Sequence, residues 1–344
     1  MNTLRIRRMI AKVFLFLFLF LFLFLFLGLA CVASWPHVTR ARTHQHEATD
    51  TKSRSEENCY DPHDSNEIRL WDGVAPGAAG NDPCRDIPFL RIFPGRTSEN
   101  SAHVAIIVIP GGGYDRLSDR KEQEPVADYF SRELGVTAFV LYYRLVQRDG
   151  TYHYPVPMWD AQRALKLVRH RSSQFGIDPS KIGLFGFSAG GHLAATVALH
   201  AASDFDLPTR DGIDSVNANP NFLGLGYPVI SMLPDQYASP NSLKHLLDGY
   251  DGREKARLEP YLSAQLNVPP GLSPVFLFES MDDKQISAEN SVMFARALRE
   301  AGISAEVHLF PHGVHGAGLA TGIPDEEEWP GMFRRWLVER GFVH

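Results

Sequence analysis

From Asn66 onward, short apolar runs alternate with stretches whose apolar residues recur at helical spacing. Residues 103–109 (HVAIIVI), 136–142 (VTAFVLY), 181–185 (KIGLF), 222–230 and 274–278 (PVFLF) are apolar nearly throughout, the pattern of strands covered on both faces. Residues 304–310 (SAEVHLF) alternate instead, which predicts a strand nearer the sheet edge. Between these runs, residues 160–171 put Ala161, Ala164, Leu165 and Val168 on one helical face. Residues 287–301 place Val292, Ala295, Leu298 and Arg299 at helical spacing, and residues 329–340 carry Phe333, Trp336 and Leu337. Strands alternating with helices imply a mostly parallel sheet with helices on both faces, an α/β fold. No internal repeat and no second break in composition follows Asn66, so residues 66–344 read as one domain. In such sheets the reactive groups sit on loops beyond the carboxyl ends of the strands.

Two other patterns precede this domain. Residues 1–12 carry Arg5, Arg7, Arg8 and Lys12 and no acid, and a Phe-Leu repeat then leads through Gly28 to Ala33. A basic start, an apolar run and small residues at Cys31 and Ala33 describe a secretory signal over residues 1–33. The run 13–33 is also long enough to cross a bilayer as a helix, which takes about 20 residues. An uncleaved N-terminal anchor is therefore the rival reading, and lipidation at Cys31 a third. The signal and the anchor both place the rest of the chain outside the cytoplasm, periplasmic or extracellular, with membrane attachment only through residues 13–33. Residues 34–65 are polar and irregular, with His37, His44, His46 and His63 scattered among them, and read as a solvated linker. Cleavage after Ala33 leaves Cys59 and Cys84, a pair able to cross-link in an oxidising compartment or to remain as two free thiols.

Composition removes several classes. With 44% hydrophobic and 22% charged residues the chain is neither wholly disordered nor collagen-like nor a polytopic membrane protein. A net charge of -6 gives no electrostatic reason to expect nucleic acid, which demands clustered Lys and Arg.

The chemistry-bearing signal is Gly186-Phe187-Ser188-Ala189-Gly190, a G-x-S-x-G that follows a buried-strand pattern directly and opens a helix. The pentapeptide alone is weak, but a strand, tight turn and helix is the setting in which a serine nucleophile is presented above a sheet. Side chains at 186 and 190 would strike neighbouring backbone in so tight a turn. A serine hydroxyl needs a base and the base an orienting acid, in the chain order Ser, Asp or Glu, His. Candidate acids are Asp282 and Asp283, just after PVFLF; candidate bases are His312 and His315, just after the last strand. The amide of Ala189 and those of Gly112 and Gly113, in the Pro110-Gly111-Gly112-Gly113-Tyr114 loop after an early strand, are candidate donors to an oxyanion. Tyr114, together with Trp71, Tyr143 and Trp159, is a candidate for lining a substrate site, against the commoner role of aromatic residues in a core. The glycine loop lacks G-K-[ST] and G-x-G-x-x-G, so a nucleotide site is not expected. His308, His312 and His315 do not share a helix face, so no metal site is expected.

Taken in order, IPGGGY, FVLYYRL, DAQRALKLVR, GIDPSKIGLFGFSAGGHLA, YPVISM, ESMDDKQIS-EN and FPHGVHGAGL span nearly all of residues 70–342. In this series the chain resembles secreted bacterial α/β-hydrolases of the acetylxylan esterase-like group, related to the dipeptidyl-peptidase catalytic domain. The resemblance implies Ser188 as nucleophile with Asp283 and His315 as its partners, and needs no cofactor. It selects Asp283 because the group shows an acidic residue, Asp, two residues and then Val-Pro; here Ile286-Ser287 replaces Val-Pro. It selects His315 because the group's Gly-Gly-His-Gly stands here as Gly313-Val314-His315-Gly316. The substrate it implies is a short acyl ester, acetyl above all, on a plant or algal polysaccharide such as xylan. The rivals are a general carboxylesterase on small lipophilic esters and a non-catalytic cell-surface binding protein on the same fold. A peptidase fits less well, since the related peptidases carry a large extra domain.

Overall fold

The computed structural model describes residues 58–96, 103–118 and 120–344. The expected signal or anchor, and most of the expected linker, lie outside the described residues. The sheet has eight strands: β1 (Glu67–Arg69), β2 (Phe89–Phe93), β3 (Ala105–Ile109), β4 (Thr137–Tyr142), β5 (Ile182–Phe187), β6 (Phe222–Gly226), β7 (Val275–Ser280) and β8 (Ala305–Phe310). Their spatial order is β1-β2-β4-β3-β5-β6-β7-β8. β2 runs antiparallel to β1 and β4, and every pairing from β4 to β8 is parallel. The helices are α1 (Glu124–Leu134), α2 (Val156–His170), α3 (Ser188–Leu199), α4 (Pro240–Leu246), α5 (Gly252–Tyr261), α6 (Glu289–Glu300) and α7 (Trp329–Glu339). After β3 the chain crosses to β4 on one side, and after β4 it returns to β5 on the other. The strand order therefore reverses between β3 and β5, where open α/β sheets form their functional crevice.

The runs expected to be covered on both faces are so covered. All five residues of β3, all six of β5, all five of β6 and all six of β7 are buried. β8 is the edge strand its alternation predicts, with Ala305 and Leu309 exposed. The glycines of β5 and β6 are seats for phenylalanine rings on the neighbouring strand. Gly183 pairs with Phe222, Phe185 with Gly224 and Phe187 with Gly226. A Cβ at Gly183 would lie 2.1 Å from the Phe222 ring, and one at Gly224 2.2 Å from Phe185. Aromatic residues recovering the packing that a strand glycine gives up explain why FLGLG is a strand despite its glycines. Phe130 of α1 and Trp329 and Phe333 of α7 pack against Phe185, each with ring centroids 4.9–5.4 Å away.

Two expectations need correction, and five elements carry no clear pattern. α6 turns Phe294 and Leu298 inward, with Asn290 and Ser291, whereas Val292 and Ala295 are only half-buried and Arg299 is exposed. Hydrogen bonds hold the two polar residues inside: Asn290 Oδ1 accepts the Ile230 and Ser231 amides, and Ser291 donates to Glu279. The run 222–230 is strand only to Gly226, because Tyr227 takes a left-handed φ of 35° and Pro228 has no amide to donate. Elements α1, α4, α5, β1 and β2 were not read from the pattern; β1 is only three residues long, and β2 carries Arg91 in its middle.

Cys59 and Cys84 are joined by a disulfide. It fastens the start of the described chain to the loop before β2, and next to it the Tyr60 ring packs on Phe89 at 5.8 Å.

Candidate active site

The tight turn between β5 and α3 carries Ser188 at φ 51°, a strained left-handed conformation for a residue with a side chain. The glycines around it are there for close approach. A Cβ at Gly186 would lie 2.3 Å from the Gly190 carbonyl oxygen, and one at Gly190 would lie 2.2 Å from the Ile109 carbonyl oxygen. One at Gly111 would meet the Ser188 Cβ at 2.7 Å. The turn is thus wedged between the end of β3 and the start of the glycine loop. Val229, beyond β6, donates its amide to the Ser188 carbonyl at 3.0 Å and holds the turn from the other side.

The candidate side chains come together. His315 Nε2 lies 2.9 Å from Ser188 Oγ, and His315 Nδ1 lies 2.7 Å from Asp283 Oδ2. The carboxylate fixes the tautomer: Nδ1–H donates to Asp283, which leaves Nε2 free to accept from the serine hydroxyl. Asp283 is itself held, since its Oδ1 accepts the amides of Gln285 and Ile286 at 2.7 and 3.0 Å. Ser188 and the Asp283 side chain are buried, and the His315 side chain is 10% exposed. The competing residues are used elsewhere in the same loops. Asp282 Oδ1 accepts the Gly313 amide at 2.9 Å and its Oδ2 lies 3.3 Å from His312 Nδ1 on the surface. Those two partners hold the Asp282 carboxyl below its ordinary pKa. His308 pairs with Glu306 at 2.8 Å, away from both other histidines' partners.

The glycine loop faces this group from β3. Gly112 and Gly113 have φ values of 114° and 67°, which a residue with a side chain rarely adopts. The Gly111 amide donates to the buried carboxyl of Glu122 at 2.8 Å. Among the described residues, no backbone carbonyl accepts from the Gly112 or Gly113 amides. The Ala189 amide belongs to the first turn of α3, where helix amides have no intrahelical acceptor and the helix dipole favours negative charge. Tyr114 does not line an open site. It is fully buried, and its hydroxyl donates to His192 Nδ1 at 2.6 Å while His192 Nε2–H donates to the Leu262 carbonyl at 2.8 Å. Burial lowers the His192 pKa to about 4 and keeps the ring neutral, as this chain of bonds needs. Tyr114 therefore props the glycine loop on α3. Trp71 packs against the Arg144 and Arg163 guanidinium groups, Tyr143 donates to the Pro110 carbonyl and Trp159 to that of Phe205, so all three serve packing.

Three acids that the sequence reading passed over are buried around the site. Glu122 accepts from Gly111 and from Tyr227 Oη at 2.9 Å. Glu279 accepts from the Ser280 amide and Ser291 hydroxyl, and Glu326 from the Val314 amide at 2.9 Å. Burial raises the pKa of all three, to about 7 for Glu326, and the nearby Asp283 charge adds to the effect on Glu279 and Glu326. No hydrophobic period marks such residues, and each reads in sequence as an ordinary surface acid.

The sequence pattern of the BD-FAE family matches residues 90–298. A search of curated proteins finds an acetylxylan esterase of Xylanibacter ruminicola, 30% identical over 241 residues, which are 70% of this chain and 46% of that one. It also finds an endo-1,4-beta-xylanase B of Butyrivibrio fibrisolvens, 31% identical over 219 residues, 63% of this chain and 33% of that one. The chain thus spans less than half the length of these curated relatives. Among solved structures, an acetyl ester-xyloside bifunctional hydrolase from Caldicellulosiruptor lactoaceticus superposes with a TM-score of 0.71 at 36% identity, covering 81% of this chain and 97% of that one. On the family match and this superposition, the chain has the α/β-hydrolase fold and belongs to the BD-FAE family.

Proposed function

We propose that the protein is an exported serine esterase that removes acetyl or similarly small acyl groups from carbohydrate, acetylated xylan being the model substrate. The observation that carries this reading is the unbroken relay from Asp283 through His315 to Ser188, and the amides of Gly112, Gly113 and Ala189 are the oxyanion donors this reading assigns. Ser188 Oγ attacks the ester carbonyl as His315 Nε2 takes its proton. The three amides hold the negative oxygen of the tetrahedral intermediate, and Asp283 stabilises the imidazolium. His315 returns the proton to the leaving alcohol, leaving an acyl group on Ser188. A water molecule, deprotonated by the same nitrogen, then releases the acid. The acetyl and xylan parts of the reading draw on the relatives named above, since a fold does not fix a substrate. Export is supported by the basic-then-apolar N-terminus and by the Cys59–Cys84 disulfide, which persists in oxidising compartments.

The test is hydrolysis of p-nitrophenyl acetate, butyrate and octanoate by residues 34–344, beside the Ser188→Ala variant, followed by acetate release from acetylated xylan. The expected result is activity that falls steeply with acyl length and drops by about 10^3-fold or more in the variant. A flat response to acyl length points instead to a general carboxylesterase. Equal activity in both proteins removes Ser188 from the mechanism.

A further inference from the structure

Glu122 is a carboxyl group in the protein interior, 1% exposed, yet it takes no part in the relay of Ser188, His315 and Asp283. Its neighbours connect the glycine loop to the histidine loop. Oε2 accepts the amide of Gly111, the residue directly before the two glycines assigned above to the oxyanion. Oε1 accepts the Tyr227 hydroxyl. The Tyr227 oxygen in turn accepts the amide of Gly318, three residues beyond His315, at 3.0 Å. The Tyr227 ring also packs on the His315 imidazole, with centroids 4.9 Å apart. The Gly111 amide is thereby committed to Glu122.

We infer that Glu122 is a positioning residue that sets the distance between the oxyanion amides and the histidine loop. The inference rests on the serine mechanism proposed above. Hydrogen bonds to an acceptor this buried are worth more than surface ones, because an unmet donor has no water to turn to. A carboxylate offers Gly111 and Tyr227 one acceptor oxygen each, whereas a glutamine has one acceptor oxygen and an NH2 group that must face a donor. The side chain fixes where the donors wait for a charge that exists only in the transition state. Its loss therefore falls on kcat and spares ground-state binding.

The experiment compares the parent, Glu122→Gln, Tyr227→Phe and Ser188→Ala on p-nitrophenyl acetate, with rates taken per active site titrated by a fluorophosphonate in the first three. Binding of an aryl trifluoromethyl ketone, which forms a tetrahedral adduct with the serine, is measured on the same samples. For Glu122→Gln the expected result is a kcat lower by about 30-fold, a KM within about 2-fold and ketone affinity lower by about the same factor as kcat. Tyr227→Phe keeps the Gly111 bond and loses about 5-fold in kcat. A general loss of packing lowers the titratable fraction and leaves the per-site kcat alone. Parental kcat and ketone affinity in Glu122→Gln, beside an inactive Ser188→Ala, overturn this inference and leave the serine mechanism standing. An active Ser188→Ala overturns both. If Glu122→Gln does not fold, Tyr227→Phe decides: a fall in per-site kcat supports the inference and parental kcat refutes it.

Discussion

The serine turn and the paired loops that carry Asp283 and His315 meet at one hydrogen bond, but they are built by opposite means. The turn is built by shape. Glycines at 186, 190 and 111 let three pieces of backbone touch, and hydrophobic strands on both sides hold them there. The loops are built by polar anchors, buried at Glu326 and Tyr227 and partly exposed at Asp282. Asp282 anchors Gly313, Glu326 anchors Val314 and Tyr227 anchors Gly318, with Glu122 behind it. Shape leaves no freedom, because a backbone clash cannot be turned aside. Buried polarity fixes a loop by the cost of leaving a donor unmet, which protonation or a single substitution can alter.

The sharpest way to test the polar side of this contrast is the pair of adjacent acids. Asp283→Ala removes the group that orients the imidazole, and kcat is expected to fall by about 10^3- to 10^4-fold. Asp282→Ala removes an anchor of the Gly313 amide and a surface contact with His312, from a side chain 41% exposed, and the expected loss is about 5-fold. Ester hydrolysis by the two variants measures the ratio; comparable losses would mean that the loop anchors matter as much as the relay. The shape side is tested by Gly190→Ala. Its methyl group would sit 2.2 and 2.4 Å from the carbonyl oxygens of Ile109 and Pro110. Backbone must move to admit it, at a cost of about 3 kcal/mol in stability, with about 100-fold lower activity as Ser188 shifts. Urea denaturation and ester turnover check the two parts.

The smallest effect is a pH dependence of stability. The Glu326 carboxyl, ordinarily near 4.5, is raised to about 7 by burial, so the folded state binds its proton more tightly than the unfolded chain. That stabilisation is complete below about pH 4.5 and is lost as the pH rises through 7. Glu326→Gln removes the titration. The loss of stability between about pH 5 and pH 8 is expected to shrink by about 2 kcal/mol, read from denaturation curves at the two pH values. An unchanged slope would place the pH sensitivity in other groups.

The same contrast governs what the sequence makes legible. The strands β3 to β7 announce themselves, because burial on both faces disfavours polar residues, and β8 does so by the alternation of an edge strand. The serine turn does too, because glycine spacing records close approach directly. The residue reading reached both candidate acids and both candidate bases, and the Gly-Val-His-Gly and Asp-Asp stretches chose between them by resemblance; the structure sets Asp283 and His315 at Ser188. Glu122, Tyr227, Glu279 and Glu326 left no such mark. A buried acid is spelled like an exposed one, and its partners lie up to 105 residues away in the chain. Tyr114 was misjudged for the reverse reason: an aromatic residue beside the glycine loop reads as a substrate contact until His192 is seen beneath it.

The central claim is that Ser188 carries the acyl group between the two halves of the reaction. The direct test mixes the enzyme with p-nitrophenyl acetate, stops the reaction in acid within the first turnover and locates the acetyl group by peptide mass spectrometry. One acetyl group is expected on the peptide containing Ser188, formed in step with a burst of nitrophenol and absent from Ser188→Ala. Steady turnover with no acetyl group on Ser188, or with the group on another residue that the Ser188→Ala enzyme still acylates, would contradict it.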